Sequence, residues 1–422
     1  MVTVVPGYRP RMVDRELAAK LEAVGAILIE GPRGCGKTWT ARTRANSLVR
    51  LDIEDALREA GNVAPQVLLP GERPRLLDEW QLVPGLWNHV KVTVDQAGDK
   101  GQFILTGSAV PPDSSVRQPA STRFGHIRMR PMSLVESGHS SGGLSLAGLF
   151  AGNAQPAPDP GLDIHALAER IAIGGWPTLV DGTPAQAMTA LRGYLNDVSR
   201  VDLQRLDRVR RDPLNVERVI RSIARNVSTA ARATAIGQDV AGADDAIDRH
   251  TVADYIRALA RVFVVENLSA WSPSIRSRSI LRTAEKRHFV DPSLAMAALG
   301  LGPDRLVLDT ATMGFLFESL AIRDLRIYAQ ALDEARVYYY QDNTGLEADA
   351  IVEHRDGRWA AFEMKLGQNL IDEAARNLVS LANRVDLAVH GDPVALGVIT
   401  GWGAAYRRND GVWVIPVGTL GA

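Results

Sequence analysis

Ala26-Ile-Leu-Ile-Glu30 runs directly into Gly31-Pro-Arg-Gly-Cys-Gly-Lys-Thr38, and this junction decides the fold of the amino-terminal third of the chain. The apolar run is too short for a helix and suits a strand buried on both faces. The glycine-rich stretch satisfies the G-x-x-x-x-G-K-[ST] pattern in full, and the composition from Trp39 to Ser47 predicts a helix after it. Strand, glycine loop and helix together form a phosphate cradle. The backbone N–H groups of Gly31, Arg33, Gly34, Cys35 and Gly36 through to Trp39 surround an anion, helped by the positive end of the helix, while Pro32 shapes the loop without donating. Lys37 is placed to reach the β- and γ-phosphates and the Thr38 hydroxyl to meet Mg²⁺, so ATP with Mg²⁺ is the expected ligand.

Working outward, Arg75-Leu-Leu-Asp78-Glu79 is an apolar strand ending in two acids. Asp78 fits the acid that holds Mg²⁺, and Glu79 the acid that polarises the attacking water. Gly101-Gln-Phe-Ile-Leu-Thr106-Gly-Ser108 predicts a third strand. Ligands of open α/β sheets lie at the carboxyl ends of strands, so Thr106 and Ser108 are candidate γ-phosphate sensors. A strand that merely ends in polar turn residues accounts for these two as well.

GPRGCGKT, LLDEWQLVPGLW, FILTGSA and RMRPMSLVES together resemble the bacterial and archaeal AAA-type ATPases that carry a C-terminal domain of unknown function, the AAA_14 and DUF4143 pairing. The resemblance implies ATP hydrolysis, and self-association through an arginine supplied in trans. Those families have a Gly-Arg pair shortly before the last strand of the ATPase domain. Here the chain reads Arg123-Phe-Gly125-His126, with His126 where that arginine is expected, so either Arg123 or Arg128 takes its place or the trans-acting arginine is missing.

A chain of 422 residues calls for two or three domains. One cysteine excludes a disulfide framework or a Cys-rich zinc site, and no apolar run is long enough to span a bilayer. A cytoplasmic protein without membrane association is the expectation. The net charge of −1 means that any contact with DNA or RNA has to come from a local basic patch. Only six of the 48 basic residues are lysines, and Lys37 and Lys365 fall inside motifs where the chemistry favours lysine.

Residues 137–162 are rich in Ser, Gly and Pro and predict a linker or mobile loop. Helical periodicity then dominates to about residue 300, with a helix over 163–173 stopped by Gly174-Gly-Trp-Pro177 and another over 185–206. Arginines outnumber acids between Arg200 and Arg225. That run is either a solvated helical face or a phosphate-facing surface. Thr251 to Leu259 has the shape of a winged-helix recognition helix, with wing strands over 262–265 and 282–289 and a basic wing at Arg276 and Arg278.

Strand character returns near the C-terminus. Arg336–Tyr340, Glu347–Glu353 and Arg358–Lys365 are expected strands, the last two joined by a hairpin at Asp356-Gly357, with a helix around Glu318 upstream. Glu363 and Lys365 lie two apart and project from one side of their strand. Glu318, Asp349 and Glu363-x-Lys365 resemble the PD-(D/E)xK nuclease fold. That resemblance implies a metal held by Asp349 and Glu363, with Lys365 stabilising charge on a phosphate. A solvated cross-strand pair would produce the same short pattern.

The sequence therefore predicts an α/β protein with an AAA-type P-loop ATPase domain over 1–135, a linker over 136–162, a helical winged-helix-like domain over 163–300 and a nuclease-like domain over 301–422. The leading expectation is a Mg²⁺-dependent ATPase coupled to a nuclease-like domain acting on nucleic acid. The competing one is an ATP-controlled DNA-binding switch whose nuclease-like domain is inert. A small-molecule kinase is a third, since it shares the P-loop, although no acceptor lid is evident.

Overall fold

A computed structural model describes residues 6–110, 122–206, 209–241, 248–273 and 284–422. The chain forms two compact units. The first comprises residues 1–131 with 200–211 and 261–263; the second comprises 132–199, 212–260 and 264–422.

The first unit is a five-stranded, wholly parallel sheet. Its strands are β1 (Ala26–Glu30), β2 (Ser47–Arg50), β3 (Arg75–Asp78), β4 (Phe103–Gly107) and β5 (Phe124–Arg128), in the order β2-β3-β4-β1-β5. Helices α1 (Val13–Ala23), α2 (Lys37–Arg42), α3 (Asp55–Val63) and α4 (Leu86–Ala97) accompany it. The run Ala26-Ile-Leu-Ile is uniformly apolar because both of its faces are covered. Ala26 and Leu28 join Leu77, Leu105, Trp87 and Val90 on one side, while Ile27 and Ile29 join Leu17, Leu76, Ile104 and Ala41 on the other. The helix after the glycine loop is shorter than the expected 39–47. It ends at Arg42, and Ser47 already belongs to β2, an edge strand half open to solvent.

In the second unit, helices α5 (Leu146–Phe150), α6 (Ile164–Ile173), α7 (Pro184–Asp197), α9 (Pro213–Arg225), α10 (Ala233–Ala241), α11 (Arg249–Arg261), α12 (Pro292–Leu299), α13 (Pro303–Leu308) and α14 (Thr310–Ala331) precede a six-stranded mixed sheet; the short α8 (Leu203–Leu206) belongs to the first unit. The starts of α7, α9 and α12 are written locally. Thr183, Asp212 and Asp291 accept a backbone N–H of the first turn, and each is followed by a proline that has no N–H to lose. After α11, Val265 pairs with Phe289 and Leu268 with Lys286 in antiparallel fashion. The expected basic wing at Arg276 and Arg278 lies outside the described residues.

The sheet runs β11 (Tyr406–Arg407), β12 (Trp413–Pro416), β10 (Ala395–Thr400), β9 (Trp359–Lys365), β8 (Glu347–Glu353), β7 (Arg336–Gln341), with α15 (Ile371–Arg384) crossing from β9 to the parallel β10. Asp356-Gly357 turns β8 into β9 as expected, with Gly357 at φ +88°. Residues 137–162 correct the expectation of a loose linker. They contribute β6 (Leu144–Ser145), which pairs in parallel with β13 (Leu420–Gly421), and Ala157 bridges to Ala405. The segment has too few apolar residues for its own core and uses the edge of a core that already exists.

Candidate nucleotide site and acidic centre

Strands β1, β3 and β4 are adjacent and parallel, so their carboxyl ends bring the loop after Glu30, the Asp78-Glu79 pair and the Thr106–Ser108 stretch to one edge of the sheet. The loop approaches its neighbour so closely that a Cβ on Gly31 would lie 2.0 Å from the Met129 carbonyl oxygen. At the other end Gly36 takes φ +103°, a conformation closed to most L residues, and α2 begins at the next residue. Lys37 is buried and its Nζ donates to the Pro32 carbonyl at 2.9 Å, inside the loop. Cys35 is buried with Sγ 3.8 Å from the Met129 oxygen, so only its backbone is available to an anion. Arg33 and Trp39 are exposed; Arg33 pairs with Asp202 at 3.4 Å, and the Arg42 guanidinium lies 5.4 Å from the Trp39 ring centre.

The hydroxyl of Thr38 donates to Asp78 Oδ1 at 2.8 Å, and the Thr106 hydroxyl donates to the same oxygen. Thr106 Oγ1 also accepts the Glu79 N–H at 3.2 Å. Burial pushes the Asp78 carboxyl above its ordinary range, and the hydrogen bonds from Thr106 and Thr38 pull it back in part. Glu79 sits at φ +57°, a strained position for a side chain with a Cβ, and its Oε2 accepts from the Ser108 hydroxyl at 2.7 Å and from Gln81. The geometry thus assembles Lys37, Thr38, Asp78, Glu79, Thr106 and Ser108. It fits a magnesium nucleotide: a cradle of backbone N–H groups, one hydroxyl and one carboxylate already in contact, and a second carboxylate held beside them.

Arg123 does not join them. Its carbonyl accepts the N–H of Ala26, which puts Arg123 at the amino end of the sheet, and its guanidinium pairs with Asp95 at 2.5 Å. Position shortly before the last strand suggested a phosphate contact, but a parallel strand separates its two ends by its whole length. Arg128, opposite Glu30 at the carboxyl end of β5, lies instead over Phe263.

Sequence reading missed Arg11 and Tyr8. Arg11 is buried and donates to the Cys35 carbonyl at 2.8 Å and the Arg130 carbonyl at 2.7 Å; Tyr8 donates to Asp14 at 2.5 Å and lies 2.9 Å from the Thr40 hydroxyl. An arginine ahead of a helix carries no local signal of a fold-back onto a loop beyond it.

In the second unit, β8 and β9 pair with Ala350 opposite Phe362, which brings Asp349 beside Glu363 and Met364; Asp349 Oδ2 accepts the Met364 N–H at 2.8 Å. Lys365 pairs with Glu363 at 2.9 Å. Glu318, in the middle of α14, completes the expected set. An unexpected residue lies among them. Lys286 is buried, with Nζ 3.0 Å from Glu318, 2.7 Å from Glu347 and 3.3 Å from Asp349. Burial opposes the Lys286 charge, but the three carboxylates outweigh it and hold the ammonium well above its ordinary range. Burial pushes Glu318 up to about 8 and Glu363 up to about 7, against the opposing pull of Lys286 and Lys365. Of the two acids expected to hold a metal, Asp349 is therefore in contact with Lys286, and Glu363 is paired with Lys365. Among the described residues no group of three or more acid, His or Cys side chains is arranged as metal ligands.

The Gly174-Gly-Trp-Pro177 motif is also structural. Gly175 donates to Asp291 and accepts from Met132, and Trp176 Nε1 donates to Ser293. Buried Arg323 pairs with Asp291 and Asp324, and Asp324 accepts the Leu134 N–H at 3.0 Å.

Three family matches tile the chain. An AAA domain matches residues 24–137, a domain of unknown function, DUF8612, matches 164–305, and a second domain of unknown function, DUF4143, matches 313–420. The chain is 27% identical over 365 residues to the uncharacterised proteins Rv2008c of Mycobacterium tuberculosis and Mb2031c of Mycobacterium bovis, a match covering 83% of this chain and 73% of each relative. Among solved structures it is similar to the Walker-type ATPase PabY2304 of Pyrococcus abyssi (15% identity, 68% of this chain and 94% of that one, TM-score 0.42). It is also similar to the Aeropyrum pernix ORC1 protein solved in complex with DNA (15% identity, 73% and 94%, TM-score 0.28). No described helix is long and apolar enough to cross a membrane. The chain thus combines an AAA-type P-loop ATPase domain with a C-terminal DUF4143 domain.

Proposed function

We propose that the first unit binds and hydrolyses Mg·ATP and that this cycle controls how the rest of the chain engages nucleic acid. The observation that carries the ATPase half is the shared use of Asp78 by Thr38 and Thr106, with Glu79 held beside them by Ser108. In this reading Lys37 exchanges its Pro32 carbonyl for phosphate oxygens, and the backbone N–H groups of the loop hold the remaining oxygens. Thr38 and Asp78 would hold Mg²⁺, and the ion would supply positive charge beside the phosphates. Glu79 accepts the proton of the attacking water, and Ser108 and Gln81 orient its carboxylate. The test is steady-state turnover of ATP by the full chain: Mg²⁺-dependent phosphate release that Lys37→Ala abolishes supports the reading, and wild-type release no faster than the variant's sinks it.

Support for nucleic acid as the partner comes from a surface of α9. Arg218, Arg221 and Arg225 are exposed along one face of α9, although Arg225 is paired with Asp239 at 2.7 Å. Within this reading the C-terminal centre is a closed ion cluster, because Lys286 already occupies its carboxylates. A second reading, a working metal-dependent nuclease, draws on Glu363 Oε1, which is buried without a hydrogen-bond partner beside Lys365. Mg²⁺-dependent cleavage of DNA or RNA that Asp349→Ala and Lys365→Ala abolish would establish it.

A further inference from the structure

The residue that separates those two readings lies outside the expected site. Lys286 belongs to the segment paired with Leu268 after α11, whereas the acids around its ammonium come from α14 and β8. Three carboxylates lie within 3.3 Å of one nitrogen, so the ammonium supplies the positive charge that a cation would otherwise have to bring to this cluster. Glu363, almost wholly buried next to Asp349, leaves Oε1 with no hydrogen-bond partner, an acceptor in excess of what the described residues satisfy. The lysine is the cation that offsets part of this negative charge, and removing one member of such a cluster leaves the others uncompensated.

We propose that Lys286 is a built-in counter-cation that closes the acidic centre of Glu318, Glu347 and Asp349 to divalent metal, so that metal enters only when the Lys286 side chain leaves. This contact is autoinhibitory for any metal chemistry at Asp349 and Glu363. It is independent of ATP hydrolysis in the first unit. It predicts opposite behaviour for removing the lysine and removing an acid.

The probe is Mn²⁺ alone, added to the full chain without nucleotide, with bound equivalents counted from the loss of the free-ion electron paramagnetic resonance signal. Lys286→Met is expected to bind one Mn²⁺ per chain more than wild type, and adding Asp349→Asn to it is expected to remove that equivalent. Lys286→Arg, which keeps the charge, is expected to match wild type. Asp349→Asn alone is expected to leave the wild-type count unchanged. A lost equivalent in Asp349→Asn alone overturns the proposal, and so does a Lys286→Met protein that melts cooperatively yet gains no Mn²⁺. Should Lys286→Met fail to fold, the comparison of wild type with Asp349→Asn decides by itself: equal counts support closure and a lower count overturns it.

Discussion

The Thr38 hydroxyl donates to Asp78 Oδ1 at 2.8 Å, which joins the end of the phosphate loop to the end of a strand two places away in the sheet. In the proposed ATPase reading these are the two side chains that would hold magnesium, and here each satisfies the other. Thr38→Ala should therefore lower Mg²⁺-dependent ATP turnover by roughly 100-fold, about 2.7 kcal/mol of barrier. It should leave nucleotide affinity in EDTA nearly unchanged. Equilibrium binding with and without Mg²⁺, set beside turnover, checks this; equal losses under both conditions would place Thr38 outside the metal's reach.

Glu79 is positioned by others. Glu79→Gln keeps the shape and removes the base, so turnover should fall by about 10²- to 10⁴-fold while ATP affinity persists. Ser108→Ala releases Oε2 from its 2.7 Å hydrogen bond, and a smaller loss, roughly tenfold, is expected in kcat with KM unchanged. An equal loss in both variants would mean that Ser108 acts directly.

Arg11 ties the loop, at the Cys35 carbonyl, to the segment after β5, at the Arg130 carbonyl. Arg11→Ala leaves both without their donor and should destabilise the first unit by about 2–3 kcal/mol. Weaker ATP binding should accompany it, because the Cys35 backbone is no longer held. Arg11→Lys can satisfy one carbonyl and should recover part of both effects. Urea melts followed with and without ATP separate the stability loss from the binding loss.

The acidic centre predicts a pH dependence. Burial raises Glu363 to about 7 in the folded state, so between roughly pH 4.5 and 7 the folded chain holds a proton that the unfolded chain has released. Stability from this group is present at low pH and is lost as pH rises through that window. Glu363→Gln removes the titration, and its stability should decline less than wild type between pH 5 and pH 8. Parallel denaturation curves for the two proteins at both pH values would contradict the raised Glu363.

Several of these features were readable in advance because their cause is local. β1, β3 and β4 are short apolar runs ending in polar groups, and Asp356-Gly357 is a turn whatever surrounds it. Thr106 and Ser108 followed from the rule that ligands sit at the carboxyl ends of parallel strands. Arg123 misled because sequence order says that it precedes a strand, while only the direction of that strand says which edge it lies on. Lys286 left one faint signal, its rarity in a chain that otherwise uses arginine. Its partners Glu318, Glu347 and Asp349 come from elements whose packing no local pattern encodes. The serine- and glycine-rich stretch after residue 136 read as unstructured because its composition lacks a core, and composition does not register a core borrowed from far along the chain.

That stretch has a consequence for synthesis. Ser140 donates to the Leu420 carbonyl and Ser141 to that of Gly418, across separations of 280 and 277 residues, and Leu144 aligns with Leu420. Everything between has left the ribosome before these contacts can close. During translation the segment carrying β6 must wait with its backbone donors unmet while some 270 residues fold, and loop closure on that scale is slow. A nascent chain stalled at Pro416 should expose that segment to protease, whereas the released protein protects it.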